Sequence, residues 1–157
     1  MKRLLLLLAA LSLLFCACER ENKEATVNTV ANAVLDTLEN ADALSLADED
    51  FIESNFLFED EIEDARIYLG EDREIGIIKL DDGINKELAT RGIQEYLANE
   101  TNSISSLITL YPSDALSERL LRYQNATVVQ KGQYIAYFIL PSNEAEMAKS
   151  AFLKALS

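Results

Sequence analysis

Residues 134–140 read YIAYFIL, and each of these positions is apolar or aromatic. A strand that carries apolar side chains on both of its faces is typical of the centre of a sheet. Residues 127–129 (TVV) form a shorter strand-like run before it, and Lys131-Gly132 lies between the two runs. This spacing predicts a β-hairpin whose second strand is a central strand of the sheet.

A second hairpin is predicted earlier in the chain. Residues 65–69 read ARIYL, in which Ala, Ile and Leu alternate with Arg and Tyr. Residues 70–73 (GEDR) are typical of a turn, and residues 75–80 continue as a second strand. Gly76 lies inside that strand, where we expect close packing or a bulge.

Apolar residues at helical spacing surround these hairpins. They predict helices from Thr26 to about Asn40, from Asp48 over a few residues, over about 85–108, over about 114–119, and from Ser142 to the end of the chain. We expect Thr26 and Ser142 to be helix N-caps.

The long helix should present one broad apolar face to the sheet. The residues on that face are Leu88, Ile93, Tyr96, Leu97, Ile104, Leu107 and Ile108. The principal elements follow the order α-α-β-β-α-β-β-α, which predicts an α+β fold: an antiparallel four-stranded sheet from two hairpins, with helices packed on it.

The start of the chain is typical of an export signal. Lys2 and Arg3 precede a run of twelve residues at 4–15 that is apolar except for Ser12, and the chain becomes polar at Glu19. A membrane-spanning helix needs about 20 apolar residues, whereas this shorter run has the length of the apolar region of a signal peptide.

The end of this signal resembles that of bacterial lipoproteins, in which small residues precede a lipid-modified cysteine. Ala17 stands directly before Cys18, whereas the bulky Phe15 stands before Cys16, so Cys18 is the predicted lipidation site. Two acyl chains such as palmitate suffice for stable attachment to a bilayer. The alternatives are a plain secretory signal cleaved near Ala17 and an uncleaved short anchor.

These features predict three segments. They are a lipoprotein signal peptide at 1–17, a lipidated tether at 18–25 and a single α+β domain at 26–157. The domain would be held at the extracytoplasmic face of the cell membrane, with the lipid bilayer as its partner through acylated Cys18.

Composition limits the chemistry of that domain. The chain has 27 acidic and 14 basic residues, a net charge of −13, and no histidine. Such a surface repels nucleic acid, so no nucleic-acid partner is expected. Without histidine, Ser-His-Asp and Cys-His catalysis are excluded. No thiol remains once Cys16 is removed with the signal peptide and Cys18 is modified. No cofactor or metal site is predicted; any bound metal would be an oxygen-ligated cation such as calcium.

Four short motifs carry a family resemblance. They are residues 74–79 (EIGIIK), residues 91–94 (RGIQ), Tyr111-Pro112, and residues 131–134 (KGQY) followed by an apolar strand. They resemble small lipoproteins of Gram-positive gut-type bacteria that form the domain of unknown function 4358 family, over roughly residues 65–156. The resemblance implies lipoprotein placement and this order of elements, and it brings no activity, substrate or catalytic residue.

The candidate binding residues are Arg91, Gln94, Tyr111 and Tyr134. Arg91 and Gln94 lie three apart on the long helix, and an arginine fork can bind carboxylate or phosphate. The alternative is that Arg91 pairs with an acidic neighbour one turn away. The tyrosines could line a surface on which a glycan stacks, or they could pack in the core and hairpin.

The function predicted from these observations is a non-enzymatic binding or interaction module, with an unknown envelope protein or glycan as its partner. The alternative is a cell-envelope hydrolase that uses two carboxylates about 5–10 Å apart.

The acidic run at 59–64 lacks the glycine and spacing of a calcium loop, so it is interpreted as a solvated loop.

Overall fold

The computed structural model describes residues 25–157 of the chain. The predicted signal peptide, Cys18 and the tether up to residue 24 lie outside the described residues.

The described residues form one antiparallel sheet with helices on both of its faces. The strands are β1 (Ser45–Leu46), β2 (Ile62–Leu69), β3 (Glu74–Leu80), β4 (Thr127–Lys131) and β5 (Tyr134–Ile139), arranged in the order β1-β2-β3-β5-β4. The helices are α1 (Val27–Leu35), α2 (Glu49–Asn55), α3 (Lys86–Leu110), α4 (Asp114–Gln124) and α5 (Ser142–Ala155). Short 3-10 turns occur at Ala41–Ala43 and Glu59–Glu61.

The α+β class and both predicted hairpins are confirmed, and β5 lies in the interior of the sheet between β3 and β4. The predicted strand count and element order are wrong. A fifth strand, β1, pairs with Tyr68 and Leu69 of β2, and a strand of two exposed residues leaves no alternating pattern in the sequence. The predicted order also leaves out the helix expected over about 114–119, which is a full helix, α4, that extends to Gln124.

The side chains of the central strands contribute to two separate apolar layers, one on each face of the sheet. Ile75 and Ile77 of β3 pack with α1 and α5, whereas Ile78 and Leu80 pack with α3 and α4. Covering both faces explains why residues 134–140 are apolar at every position.

Several helix boundaries differ from the prediction. Helix α1 ends at Leu35 rather than near Asn40, while Thr26 caps it as expected by accepting a hydrogen bond from the Thr29 amide at 3.2 Å. Ser142 is the first residue of α5 rather than its cap, and the side chain of Ser142 caps no amide.

The second half of α3 extends beyond the layer that covers the sheet. Among residues 102–122, only Ile104 is buried, and the predicted core residues Leu88 and Leu107 are 46% and 45% exposed. At about 1.5 Å per residue, a helix of 25 residues is roughly 37 Å long, which exceeds the length of the seven-residue strand β3. The second half of α3 and most of α4 therefore form a largely exposed helical hairpin.

The turn between β2 and β3 is tied to both helical layers. Arg73 donates two hydrogen bonds to the buried carboxylate of Glu144 in α5, at 3.0 and 3.1 Å. Arg122 of α4 binds both the carboxylate and the backbone carbonyl of Asp72. These contacts fix the ends of α4 and α5 relative to the sheet.

Candidate binding site

A buried carboxylate stands at the start of β3. Glu74 is 3% exposed and accepts hydrogen bonds from the hydroxyl groups of three tyrosines on three different elements. Tyr137 of β5 donates to Oε1 at 2.6 Å, Tyr123 of α4 to Oε2 at 3.0 Å, and Tyr96 of α3 to both oxygens at 2.9 Å. We call Glu74 and these three residues the tyrosine cluster.

Two opposing effects act on the ionisation of Glu74. Burial raises the pKa of its carboxyl group above the ordinary value of 4.5, and the three tyrosine hydrogen bonds lower it. The effect of burial is the larger one, so the pKa of Glu74 is raised overall. The pKa values of all three tyrosines are raised by burial and by the nearby carboxylate, that of Tyr123 to about 12, so the hydroxyl groups remain protonated donors.

The position of the Tyr137 ring depends on Gly76, its partner in the neighbouring strand. A Cβ atom at position 76 would lie 2.0 Å from Cε1 of that ring. The predicted close packing at Gly76 is therefore confirmed, and the irregularity of this strand pair lies instead between Ile62 and Asp64. The missing side chain lets the ring lie across β3 and reach Glu74.

Tyr123 also lines a surface groove between α3 and the segment that joins α4 to β4. The groove has a volume of about 530 Å³, within the range of about 300–1,000 Å³ that is usual for small-ligand sites. Its polar side chains are Gln94, Thr101, Asn102 and Gln124, and its apolar side chains are Leu97, Ala98, Ala126 and Val128. We call this feature the amide groove.

None of the described residues that line the amide groove is charged. Within the described residues, the side-chain amides of Gln94, Asn102 and Gln124 make no hydrogen bond, whereas Thr101 donates to the carbonyl of Leu97 at 2.7 Å. Each free amide offers two donors and one acceptor oxygen. The groove can therefore hydrogen-bond a ligand without first breaking internal contacts.

The tyrosine cluster holds the two walls of the amide groove in place. Tyr96 connects α3 to Glu74, and Tyr123 connects the end of α4 to the same carboxylate. The guanidinium of Arg119 lies 5.6 Å from the centre of the Tyr123 ring. A site whose supporting side chains are fixed by packing and hydrogen bonds keeps its shape in the absence of ligand.

The four predicted binding residues do not come together. Gln94 lines the amide groove, but Arg91 lies in a separate small pocket beside Leu57 and Gly92, and it forms no ion pair with any described residue. Tyr111 is 70% exposed at the end of α3. Tyr134 is buried against α1 and α5, on the other face of the sheet.

The carboxylates of the described residues are not clustered as metal ligands. Within residues 25–157, no group of three or more acidic side chains is placed to hold a metal ion. In the acidic run at 59–64, Glu63 pairs with Lys79 at 2.6 Å and Asp64 with Arg66 at 2.8 Å.

Sequence reasoning missed the tyrosine cluster and most of the amide groove. The sequence shows Glu74 as the first residue of the motif at 74–79 and predicts no role for its side chain, and helical spacing predicts only that Tyr96 lies on an apolar face. One signal is present in the sequence, because a glutamate next to the apolar residues 75–78 needs hydrogen-bond partners if it is buried. The identity of those partners depends on the tertiary fold.

Comparison with known proteins adds no relative. No family model matches the chain, and no curated protein or solved structure is significantly similar to it. In the described part of the chain, none of the helices combines the length and the apolar character needed to cross a bilayer.

Proposed function

We propose that this protein is a lipid-anchored, extracytoplasmic binding module that is not an enzyme, and that the amide groove is its ligand site. The proposal rests on one observation: the described lining of the groove is uncharged and combines the free amides of Gln94, Asn102 and Gln124 with Tyr123, which is held by Glu74. Acylation of Cys18 and membership of the domain of unknown function 4358 family belong to the same proposal.

The position of the groove suits a module tethered at its N-terminus. The hydroxyl of Tyr134 donates to the carbonyl of Ala25 at 2.6 Å, which fixes the entry of the chain beside the first residue of β5. Val128, which lines the groove, pairs with Tyr137, three residues after Tyr134 in β5. The groove lies on the face of the sheet that is opposite to the one on which Tyr134 packs. A ligand in the groove is therefore remote from the attachment point.

The spacing between lipid and domain is short. Six residues separate Cys18 from Ala25, and an extended chain spans about 3.5 Å per residue. The domain would stay within roughly 25 Å of the bilayer, close to the polymers and proteins of the envelope.

The two buried acids are better suited to structure than to hydrolysis. A glycosidase needs one acid to donate a proton and a second to act as base or nucleophile beside the same open cleft. Glu74 is enclosed by three tyrosine hydroxyls, and Glu144 is paired with Arg73. Both side chains are already engaged in internal contacts, which favours the binding module over the hydrolase.

The test is sedimentation of the purified full chain with membrane-free, detergent-extracted envelope material. We expect the unsubstituted protein to sediment with this material. The variant Gln94→Ala/Asn102→Ala/Gln124→Ala should sediment at least about tenfold less, since three hydrogen bonds at about 0.5–1.5 kcal/mol each are lost.

A matched control removes three exposed amides outside the groove, in Asn32→Ala/Asn99→Ala/Asn143→Ala. This variant should sediment like the unsubstituted chain. Failure of the unsubstituted chain to sediment, or equal loss in both variants, contradicts the proposal. Release of soluble envelope fragments by the purified protein would establish the hydrolase instead.

A further inference from the structure

We infer that the amide groove recognises a neutral saccharide, an inference that rests on the proposed function and names its ligand class. Sugar hydroxyl groups both donate and accept hydrogen bonds. Amide side chains match them because one amide can do both at once, and Gln94, Asn102 and Gln124 are free to do so.

The apolar part of the groove matches the other surface of a sugar ring. Leu97, Ala126 and Val128 line the groove together with the amides, and Tyr123 is a further lining residue. The C–H face of a pyranose is apolar, so it can be removed from water against these side chains while its hydroxyl groups reach the amides. This alternation of apolar and amide contacts suits a saccharide better than a purely apolar ligand.

The uncharged lining favours neutral ligands over ionic ones. None of the described lining residues is charged, so an anionic or cationic ligand would lose water without gaining an ionic partner. The net charge of −13 also repels anionic polymers. We therefore expect neutral sugars to bind and uronic acids to be rejected.

A peptide is the competing class, because β4 is an edge strand and Val128 lies both on β4 and in the groove. A peptide would gain affinity chiefly through backbone pairing with that edge. Backbone pairing would make little use of the three amides. The groove therefore favours the saccharide.

The experiment uses the isotope-labelled full chain in a mild detergent and follows the side-chain NH₂ resonances by NMR. The probes are neutral tetrasaccharides of N-acetylglucosamine, glucose and mannose, with tetragalacturonate and a neutral Gly-Ser peptide for comparison. We expect at least one neutral tetrasaccharide to shift the resonances of Gln94, Asn102 and Gln124 in a saturable way.

The groove triple variant should weaken this binding at least about tenfold. The control triple variant should change it less than about twofold. Raising the salt concentration about tenfold should leave the dissociation constant within about twofold, because a neutral ligand has no charge to screen.

The inference is overturned if no neutral tetrasaccharide shifts these resonances, or if tetragalacturonate or the peptide binds more tightly than the neutral sugars. If envelope sedimentation still depends on the groove amides in that case, the binding module stands and only its ligand class is wrong. If sedimentation is also independent of the amides, the proposed function fails as well.

Discussion

Replacing Gly76 by alanine should destabilise the fold through a direct collision with Tyr137. The new Cβ would lie 2.0 Å from Cε1 and 2.6 Å from both Cδ1 and Cζ of the ring. The ring cannot move freely, since its hydroxyl is bonded to Glu74 at 2.6 Å and the rings of Phe56 and Tyr96 lie 6.2 and 6.1 Å away.

The magnitude follows from two contributions. Overpacking a core costs about 1–3 kcal/mol, and displacing the ring also breaks a hydrogen bond to a charged group, worth about 1.5–3 kcal/mol. We expect the free energy of unfolding to fall by roughly 3–5 kcal/mol, from a total that is typically about 5–15 kcal/mol. Urea denaturation followed by far-UV circular dichroism measures this change.

A double-mutant cycle separates the two contributions. In a Tyr137→Phe background the ring remains, so Gly76→Ala should still cost about 1–3 kcal/mol. In a Tyr137→Leu background the ring is gone, and the substitution should cost less than about 1 kcal/mol, because alanine is the better strand residue. Equal costs in the unsubstituted and Tyr137→Leu backgrounds would refute the reasoning.

Three further predictions concern charge and attachment. Because the pKa of Glu74 is raised in the folded state, ionisation of its carboxyl group destabilises the fold relative to the protonated form. Unfolding at several pH values should show the unsubstituted chain gaining stability relative to Glu74→Gln as the pH falls through the raised pKa of Glu74 towards the ordinary value of 4.5. A stability difference between the two chains that does not change with pH would contradict this. Arg73→Met leaves the buried carboxylate of Glu144 unpaired and should lower the free energy of unfolding by about 1–3 kcal/mol. This is less than for a fully buried pair, because the side chain of Arg73 is 22% exposed. Thermal unfolding should show that Arg73→Met/Glu144→Met regains stability, and a double variant as unstable as the single one would count against the ion pair. Cys18→Ser should move the protein from the membrane to the soluble fraction, and globomycin should cause an unprocessed precursor to accumulate; a membrane-bound Cys18→Ser protein would exclude the lipid anchor.

The hairpins could be predicted because their information is local. Alternation in residues 65–69, the turn at 70–73 and the Lys131-Gly132 turn act within a few residues of one another. Strand β1 could not be predicted, since two exposed residues become a strand only because Tyr68 and Leu69 offer a free edge.

The candidate site depends on distant parts of the chain. Glu74 and Tyr137 are 63 residues apart, and Gln94 and Gln124 meet only when α4 folds back along α3. Sequence periodicity assigned Tyr96 correctly to a buried helix face, but it gave no indication that the hydroxyl would find a carboxylate. Gln94 was selected for its spacing from Arg91, and the structure places the two residues in different pockets.

The bond between Tyr134 and Ala25 also determines how the domain would respond to a mechanical load. A force applied at Ala25 acts first on α1, which is held to the sheet by Val27, Val30 and Val34. Pulled from its first residue, α1 detaches turn by turn while the opposite layer keeps its packing. Tension along the N-terminus would therefore remove α1 from the face that lacks the amide groove, where α5 would remain, and the groove would keep its shape until the sheet itself unfolded.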